Sequence, residues 1–274
     1  HNLVKQEYMN IIYKDNPPDR PIFTSDFTGP SSISLEMIHI IPITDENSYP
    51  NIRQPYTVTE KADGYRALLY ISSIGKIYLI NTNMEIIFTG CVSKNEDCYN
   101  TIIDGEHVER DKNNNYINYF LCFDIYYLNK KSVREFPFLK MDGLVYHNKK
   151  MSKDIFRFNT LTDVINSLNI VSISNNKSMI IKVKTFYQNT TKDIFTQCRE
   201  ILRKEEDGEF LYETDGLIFT PINTGVSSDK IGDIKEPKKK TWKRSFKWKP
   251  PEFNTVDFLI TTTKDENEND IIKN

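Results

Sequence analysis

Polar and apolar residues alternate with a period of two from residue 56 to residue 88, and turn residues interrupt the pattern at Asp63-Gly64, at 73–76 and at 81–83. Successive strand side chains point to opposite faces, so the pattern predicts short strands in an antiparallel meander. Residues 101–109 (TIIDGEHVE) predict a further strand and 111–115 (DKNNN) a hairpin turn. The run YFLCFDIYY at 119–127 is apolar almost throughout, as in a strand covered on both faces at the centre of a sheet. A helical period follows. Apolar residues at Ile155, Phe156, Phe158, Leu161, Val164, Ile165 and Leu168 predict a helix over 152–168 with Ser152 as N-cap. Ile194, Phe195, Cys198, Ile201 and Leu202 predict a second helix over 191–203.

Strands are also predicted at 180–186, 216–220, 242–249 and 255–261, with a mobile Gly-, Ser- and Lys-rich loop at 223–240. Residues 1–13 predict a short helix or strand, 15–21 (DNPPDRP) a breaker, and 33–43 an apolar lead-in without chemistry of its own. Strands and helices mix without βαβ alternation, which predicts an α+β fold of mainly antiparallel sheets with flanking helices. The division read from these signals is a lead-in over 1–55, a domain over 56–263 and a polar tail or linker over 264–274.

Composition narrows the classes. The net charge of −2 supplies no global basic field, so any nucleic acid must be held by a local patch. Cys91, Cys98, Cys122 and Cys198 are scattered and form no CxxC pair, which argues against structural zinc and for a reduced, intracellular protein; a monomer is expected. No apolar run has the length of a membrane span, and no signal peptide is visible. The first residue is His1 rather than Met, as expected of a piece of a longer polypeptide.

Five groups of residues could carry chemistry. In Lys61-Ala62-Asp63-Gly64, with Arg66 following, a lysine ends one strand beside a glycine turn. An amine there can face a cleft and act as a covalent nucleophile, provided nearby cations or desolvation favour its neutral form. The plain alternative is a polar hairpin turn with a solvated lysine. Asp104-Gly105-Glu106 could turn carboxylates to a ribose hydroxyl or Mg²⁺, or be an edge-strand charge. Phe123 is either core or a face for a nucleobase, and Asp124, inside an apolar strand, must meet a cation or a donor. Asp215 is the second residue of TDGLIF, at the start of a strand; a similar Asp-Gly-Leu-Val at 142–145 is set aside because Asp215 lies between the helices and the C-terminal lysine strand. In Lys247-Trp248-Lys249-Pro250 the two lysines share a strand face, which suits a triphosphate and would assist Lys61. The wider basic run over 235–249 could instead be a nuclear-import or heparin-like patch, and 238–240 reads as solvated.

The order KADG-x-R, DGE, FD, TDGLIF, KWKP resembles the motif order of the covalent-lysine nucleotidyltransferases, the superfamily of mRNA-capping guanylyltransferases and ATP-dependent DNA and RNA ligases. The chain is most similar to the guanylyltransferase domain of multifunctional capping enzymes from large cytoplasmic DNA viruses. TDGLIF and KWKP, followed by Asn254, Val256, Asp257 and Phe258, are the specific part. The resemblance implies a nucleotidyltransferase (ATP-grasp-like) domain in which Lys61 attacks the α-phosphate of GTP to form a lysyl–GMP phosphoramidate. It implies ribose contacts from Arg66 and Glu106, guanine stacking on Phe123, and further GTP contacts from Asp63 and Thr59. Asp215 is implied near the phosphates and a divalent metal (Mg²⁺ or Mn²⁺), with Asp104 as a second metal candidate. Lys247 and Lys249 are implied on phosphate oxygens. GMP then passes to a 5′-diphosphate RNA end.

Fused OB-fold, RNA triphosphatase and methyltransferase domains are implied partners, and the chain ends too soon after KWKP for the OB fold. The implied location is the viral factory in the host cytoplasm, with the virion as a second one. Ligases commonly have Glu two residues before the lysine; Thr59 stands there, a departure from the ligase pattern. The alternatives are an adenylation domain of an ATP-dependent polynucleotide ligase and a non-catalytic RNA-binding module of the same fold.

Overall fold

The computed structural model describes residues 2–44, 49–141, 155–173, 178–189, 192–229 and 240–253, and the backbone of 263–264 and 270–271. The chain opens with helix α1 (Asn2–Ile12), strand β1 (Ser31–Ser34) and strand β2 (Tyr56–Ala62). Strands β3 (Tyr65–Ile71), β4 (Lys76–Asn81), β5 (Ile86–Ser93), β6 (Thr101–Arg110), β7 (Tyr116–Leu128) and β8 (Lys131–Ser132) follow. Then come α2 (Arg157–Ser167), β9 (Ile170–Ser172), β10 (Ile180–Val183), β11 (Tyr187–Gln188), α3 (Ile194–Glu206), β12 (Thr214–Pro221) and β13 (Thr241–Trp248). A short ladder of β14 (Thr263–Lys264) with β15 (Asp270–Ile271) spans the start of the region read as a polar tail or linker.

The strands form two mixed sheets, antiparallel except for the pairs β1–β13 and β7–β10. The first sheet has the order β1-β13-β12-β2-β11, and the second runs β10-β7-β6-β3-β4-β5-β9 with β8 on β7. Period-two alternation in β3 explains how the second sheet is covered. Ala67, Leu69 and Ile71 pack towards Leu161 and Val164 of α2, while Leu68 and Tyr70 pack towards Val4 and Tyr8 of α1. With both faces covered, β7 can be apolar at nearly every position, as its sequence predicted. The first sheet packs Tyr56, Val58, Leu217, Phe219 and Phe246 against Ile194 and Ile201 of α3.

Several expectations are corrected. The turn at 63–64 does not close a hairpin: β2 pairs with β11 and β12, whereas β3 pairs with β4 and β6, so the chain crosses there from one sheet to the other. A side chain on Gly64 would meet the His107 carbonyl at 2.5 Å, so the crossing needs the glycine. The strand expected over 180–186 ends at Val183, where β10 joins the second sheet; β11 begins only at Tyr187 and joins the first. Helix α2 starts at Arg157, and Ser152 lies outside the described residues. Helix α3 starts after Asp193, whose carboxylate accepts from the amides of Phe195 and Thr196 at 3.0 and 3.1 Å. Residues 223–228 are buried, not a mobile loop, and Val226 sits in the core beneath α1. The strand expected over 255–261 and the Asp-Gly-Leu-Val at 142–145 lie outside the described residues.

Candidate active site

A cavity of about 310 Å³ opens between the two sheets. Its walls include Lys61, Arg66, Glu106, Phe123, Lys184 and Lys247. The sheet crossing explains the gathering. Lys61 ends β2 on one wall, and Arg66, five residues later, lies in β3 on the other.

Two irregularities in the ladders aim the side chains. Between β2 and β12 the register runs Thr214 to Ala62 and then Leu217 to Glu60, so Asp215 and Gly216 form a bulge beside Lys61. Gly216 has φ +138°, and a Cβ there would lie 2.0 Å from the Trp248 carbonyl; only glycine permits the bulge. The carboxylate it presents accepts from Lys61 Nζ at 2.5 Å through one oxygen and from Lys249 Nζ at 2.6 Å through the other. Burial works against ionisation of Asp215, but the two ammonium groups outweigh it and hold the carboxyl below the usual range. The second bulge lies between β6 and β7, where Asp104 pairs with Asp124 and Gly105 with Cys122. Phe123 is the residue left over, and its half-buried ring lines the cavity.

Arg66 is held in three directions. Its Nε and Nη2 donate to Asp104 at 3.1 and 2.5 Å, and Nη1 donates to the Pro30 carbonyl at 2.8 Å. Its guanidinium carbon lies 5.7 Å from the Phe27 and Phe123 ring centres alike. Burial opposes its charge, and Asp104 more than restores it. Asp104 itself is wholly buried and also accepts from the Tyr126 hydroxyl. Its oxygens fix Arg66 and Tyr126 in the wall of the cavity. Glu106 stands opposite Arg66 in the ladder. Burial pushes its carboxyl up to about 7, against the pull of Lys184, Lys61 and Arg66.

Thr59 lines the cavity, with its Oγ1 2.8 Å from the Thr185 carbonyl and from Glu60 Oε2. Lys247 lines it from β13, one residue before Trp248 packs towards α3. Asp63 is exposed on the crossing turn, where its amide bonds the Glu213 carbonyl at 2.9 Å, and its side chain does not line the cavity.

Two contributions escaped sequence reasoning. Pro30, Ser31 and Ser32, within the presumed inert lead-in, wall the cavity because β1 pairs with β13. Lys184 is 7% exposed, lines the cavity and bonds Glu60 Oε1 at 3.2 Å and the Glu60 carbonyl. The signal for Lys184 was a cation just past an apolar strand, a costly place without a purpose.

Among the described residues no group of three or more His, Cys, Asp or Glu side chains is placed to hold a metal ion. The single carboxylate of Asp215 beside ammonium groups fits Mg²⁺ or Mn²⁺ carried in on substrate phosphates, which needs one or two protein carboxylates. No described helix is long and apolar enough to cross a membrane.

A probable mRNA-capping enzyme of Acanthamoeba polyphaga mimivirus is 26% identical over 291 residues, covering 96% of this chain and 23% of the relative. The mRNA-capping enzyme subunit alpha of Schizosaccharomyces pombe is 26% identical, covering 85% of this chain and 53% of the relative. The chain thus spans from about a quarter to about half the length of these relatives. A solved mycobacterial DNA ligase D complexed with ATP and MES aligns with a TM-score of 0.40 and 14% identity, covering 78% of this chain and 62% of the ligase. Residues 6–251 match the family described as mRNA capping enzyme, catalytic domain, and the chain belongs to that family.

Proposed function

We propose that this chain is an mRNA guanylyltransferase module, taking GMP from GTP onto Lys61 and passing it to a 5′-diphosphate RNA end. The observation that carries the reading is the Lys61–Asp215–Lys249 cluster, whose Lys61 lines a cavity walled also by Arg66, Glu106 and Phe123. In the first step Lys61 Nζ attacks the α-phosphorus. The P–N bond forms, the bond to the bridging oxygen breaks, and pyrophosphate leaves with the electron pair. Lys61 must shed a proton first, and Asp215 is the acceptor already in contact. Lys249, on the other oxygen of Asp215, keeps that carboxylate in place and brings positive charge to the phosphates. Lys247, in β13, adds a second cation, two residues before Lys249. In the second step a terminal oxygen of the RNA diphosphate attacks the same phosphorus, the P–N bond breaks with its electron pair going to Nζ, and the proton held by Asp215 returns to Lys61.

Arg66, fixed by Asp104, and Glu106 hold the ribose, while Phe123 supplies a stacking face for guanine. A divalent ion, if carried by the triphosphate, would be held by Asp215 and would neutralise phosphate charge. Fused OB-fold, triphosphatase and methyltransferase domains belong to the same proposal, supported by the greater length of the mimivirus relative. So does action in the cytoplasm of an infected host.

Incubation with [α-³²P]GTP or [α-³²P]ATP and Mg²⁺ tests the reading. The expected result is an acid-labile, alkali-stable adduct with GTP, mapped to Lys61. Lys61→Ala and Lys61→Arg should abolish it without unfolding the protein, since arginine stays protonated. Labelling by ATP alone would establish the ligase reading instead, and an adduct on another lysine would overturn the assignment.

A further inference from the structure

The segment from Asp26 to Pro30 leads from α1, packed on the second sheet, to β1 in the first. It is fastened at both ends. The Asp26 carboxylate accepts from Arg20 Nη1 and Nη2, the Tyr13 hydroxyl and the Phe23 amide at 2.7–2.9 Å. The wholly buried Tyr8 of α1 donates its hydroxyl to the Asp26 carbonyl at 2.8 Å and accepts from the Thr28 amide at 3.1 Å. At the far end the Ser31 amide donates to the Lys240 carbonyl at 2.7 Å, and Ser31 pairs with Thr241 of β13. Residues 27–30 form a strap between these anchors, against the Arg66 guanidinium.

Three residues of the strap meet that group. The Pro30 carbonyl accepts from Nη1 at 2.8 Å, and the Phe27 ring centre lies 5.7 Å from the guanidinium carbon. Gly29 is the third. A Cβ there would lie 2.8 Å from Arg66 Nη2 and 2.6 Å from the Phe27 ring, both well inside van der Waals contact. A solvated arginine would swing aside, but Nε and Nη2 are bound to Asp104 and Nη1 to Pro30. Any side chain at 29 therefore displaces a guanidinium that is otherwise fixed. Among the described residues neither Phe27 nor Gly29 lines the cleft, so what they do for a nucleotide they do through Arg66.

We propose that Phe27 and Gly29 are positioning residues for ribose recognition, an inference that rests on the proposed function of the cleft. A guanidinium has five N–H donors in a rigid planar fork. Three are committed to Asp104 and Pro30, which leaves one on each terminal nitrogen for the ribose hydroxyls. Because the fork is planar, a tilt forced by the strap misaims both remaining donors together.

The test compares the affinities for GTP and 2′,3′-dideoxy-GTP by calorimetry, without divalent metal so that no adduct forms. The proteins are the unaltered chain, Gly29→Ala, Phe27→Leu and Phe27→Tyr, each checked by a melting curve. The ratio of the two affinities reads the ribose hydroxyls, whereas a general loosening of the cleft weakens both nucleotides alike. Gly29→Ala should lower the ratio about tenfold, the value of one lost hydrogen bond to a charged group. Phe27→Leu should lower it about two- to fivefold, as expected for loss of a cation–π contact near solvent. Phe27→Tyr keeps the ring and should leave the ratio unchanged. An unchanged ratio in Gly29→Ala overturns the inference, as does equal weakening of both nucleotides or the absence of any hydroxyl preference in the unaltered protein. Should Gly29→Ala fail to fold, Phe27→Leu decides, and an unchanged ratio there overturns the inference. The ratio is read without catalysis, so the two readings fail separately. A preference that Gly29→Ala loses, in a protein that forms no GTP adduct with Mg²⁺, would sink the guanylyltransferase reading alone.

Discussion

Asp104 and Asp124 face one another across β6 and β7, and each is gripped by an arginine in the same way. Arg66 gives Nε and Nη2 to Asp104 and Nη1 to the Pro30 carbonyl. Arg157 gives Nε and Nη2 to Asp124, at 2.8 and 3.1 Å, and Nη1 to the carbonyls of Phe136 and Thr224. The bonding is alike and the setting is not. Arg157 is wholly buried, and burial keeps the Asp124 carboxyl above its usual range even with that cation upon it. The Arg66 side chain is 26% exposed and turns a face to the cleft. One pair ties α2 and the 222–228 segment to the sheet; the other presents a fixed guanidinium to a ligand. A shared motif thus becomes a strut or a recognition group according to which side of it water can reach.

The largest expected effect separates these two roles. Arg157→Met leaves Asp124 buried without its cation, and should lower the unfolding free energy by about 3–5 kcal/mol, read from denaturant midpoints. Arg66→Met should lower it by less than half as much, since the cleft admits water and Tyr126 still donates to Asp104. The same substitution should weaken GTP binding at least tenfold. Equal stability losses from the two variants would erase the distinction.

A smaller effect is expected at Phe123, which lies between the pairs in sequence and beneath Arg66 in space. Phe123→Ala should weaken GTP binding by about 1–3 kcal/mol by calorimetry, and Phe123→Tyr by less. A drop in melting temperature with GTP affinity intact would make Phe123 part of the core.

The smallest effect concerns pH. With its carboxyl pushed up to about 7, Glu106 is largely neutral below that value and ionised above it. The ionised group accepts from the ribose hydroxyls on both oxygens, whereas the protonated group turns one of them into an O–H donor. The preference for GTP over 2′,3′-dideoxy-GTP should therefore grow a few-fold as pH rises through about 7, and stay flat in Glu106→Gln. Taking a ratio cancels titration of the phosphates. For stability the sign is opposite: a raised carboxyl holds its proton longer in the folded state, so stability falls as pH rises from about 4 to about 7. A flat preference in the unaltered protein would remove Glu106 from ribose recognition.

Local pattern carried much of this architecture and lost it where partners had to be chosen. The apolar run of β7 announced a strand covered on both faces, and the acid within it announced a cation; that the cation is Arg157, 33 residues away, depends on packing of α2 that no local period encodes. Alternation identified β2 and β3 as strands but not that they belong to different sheets, because the pattern records which face is buried and not which neighbour is bonded. The small polar run Ser31–Ser34 carried no strand signal, and its place is set by β13. The bulges at Phe123 and at Asp215-Gly216 are statements of register, visible only once the opposite strands are paired.

The crossing of the chain at 62–65 has a mechanical consequence. Lys61 and Arg66 are close in sequence yet anchored in separate sheets, so a nucleotide touching both rivets one sheet to the other. In the proposed reaction bound GTP would act as a removable rivet, and a GMP bonded to Lys61 would be one that cannot fall out until the RNA arrives. The adduct should therefore slow amide exchange at the seam, in β2, β3 and β12, more persistently than saturating GTP does. The protein would then be stiffest while it is loaded and waiting, and would soften at the moment its product leaves.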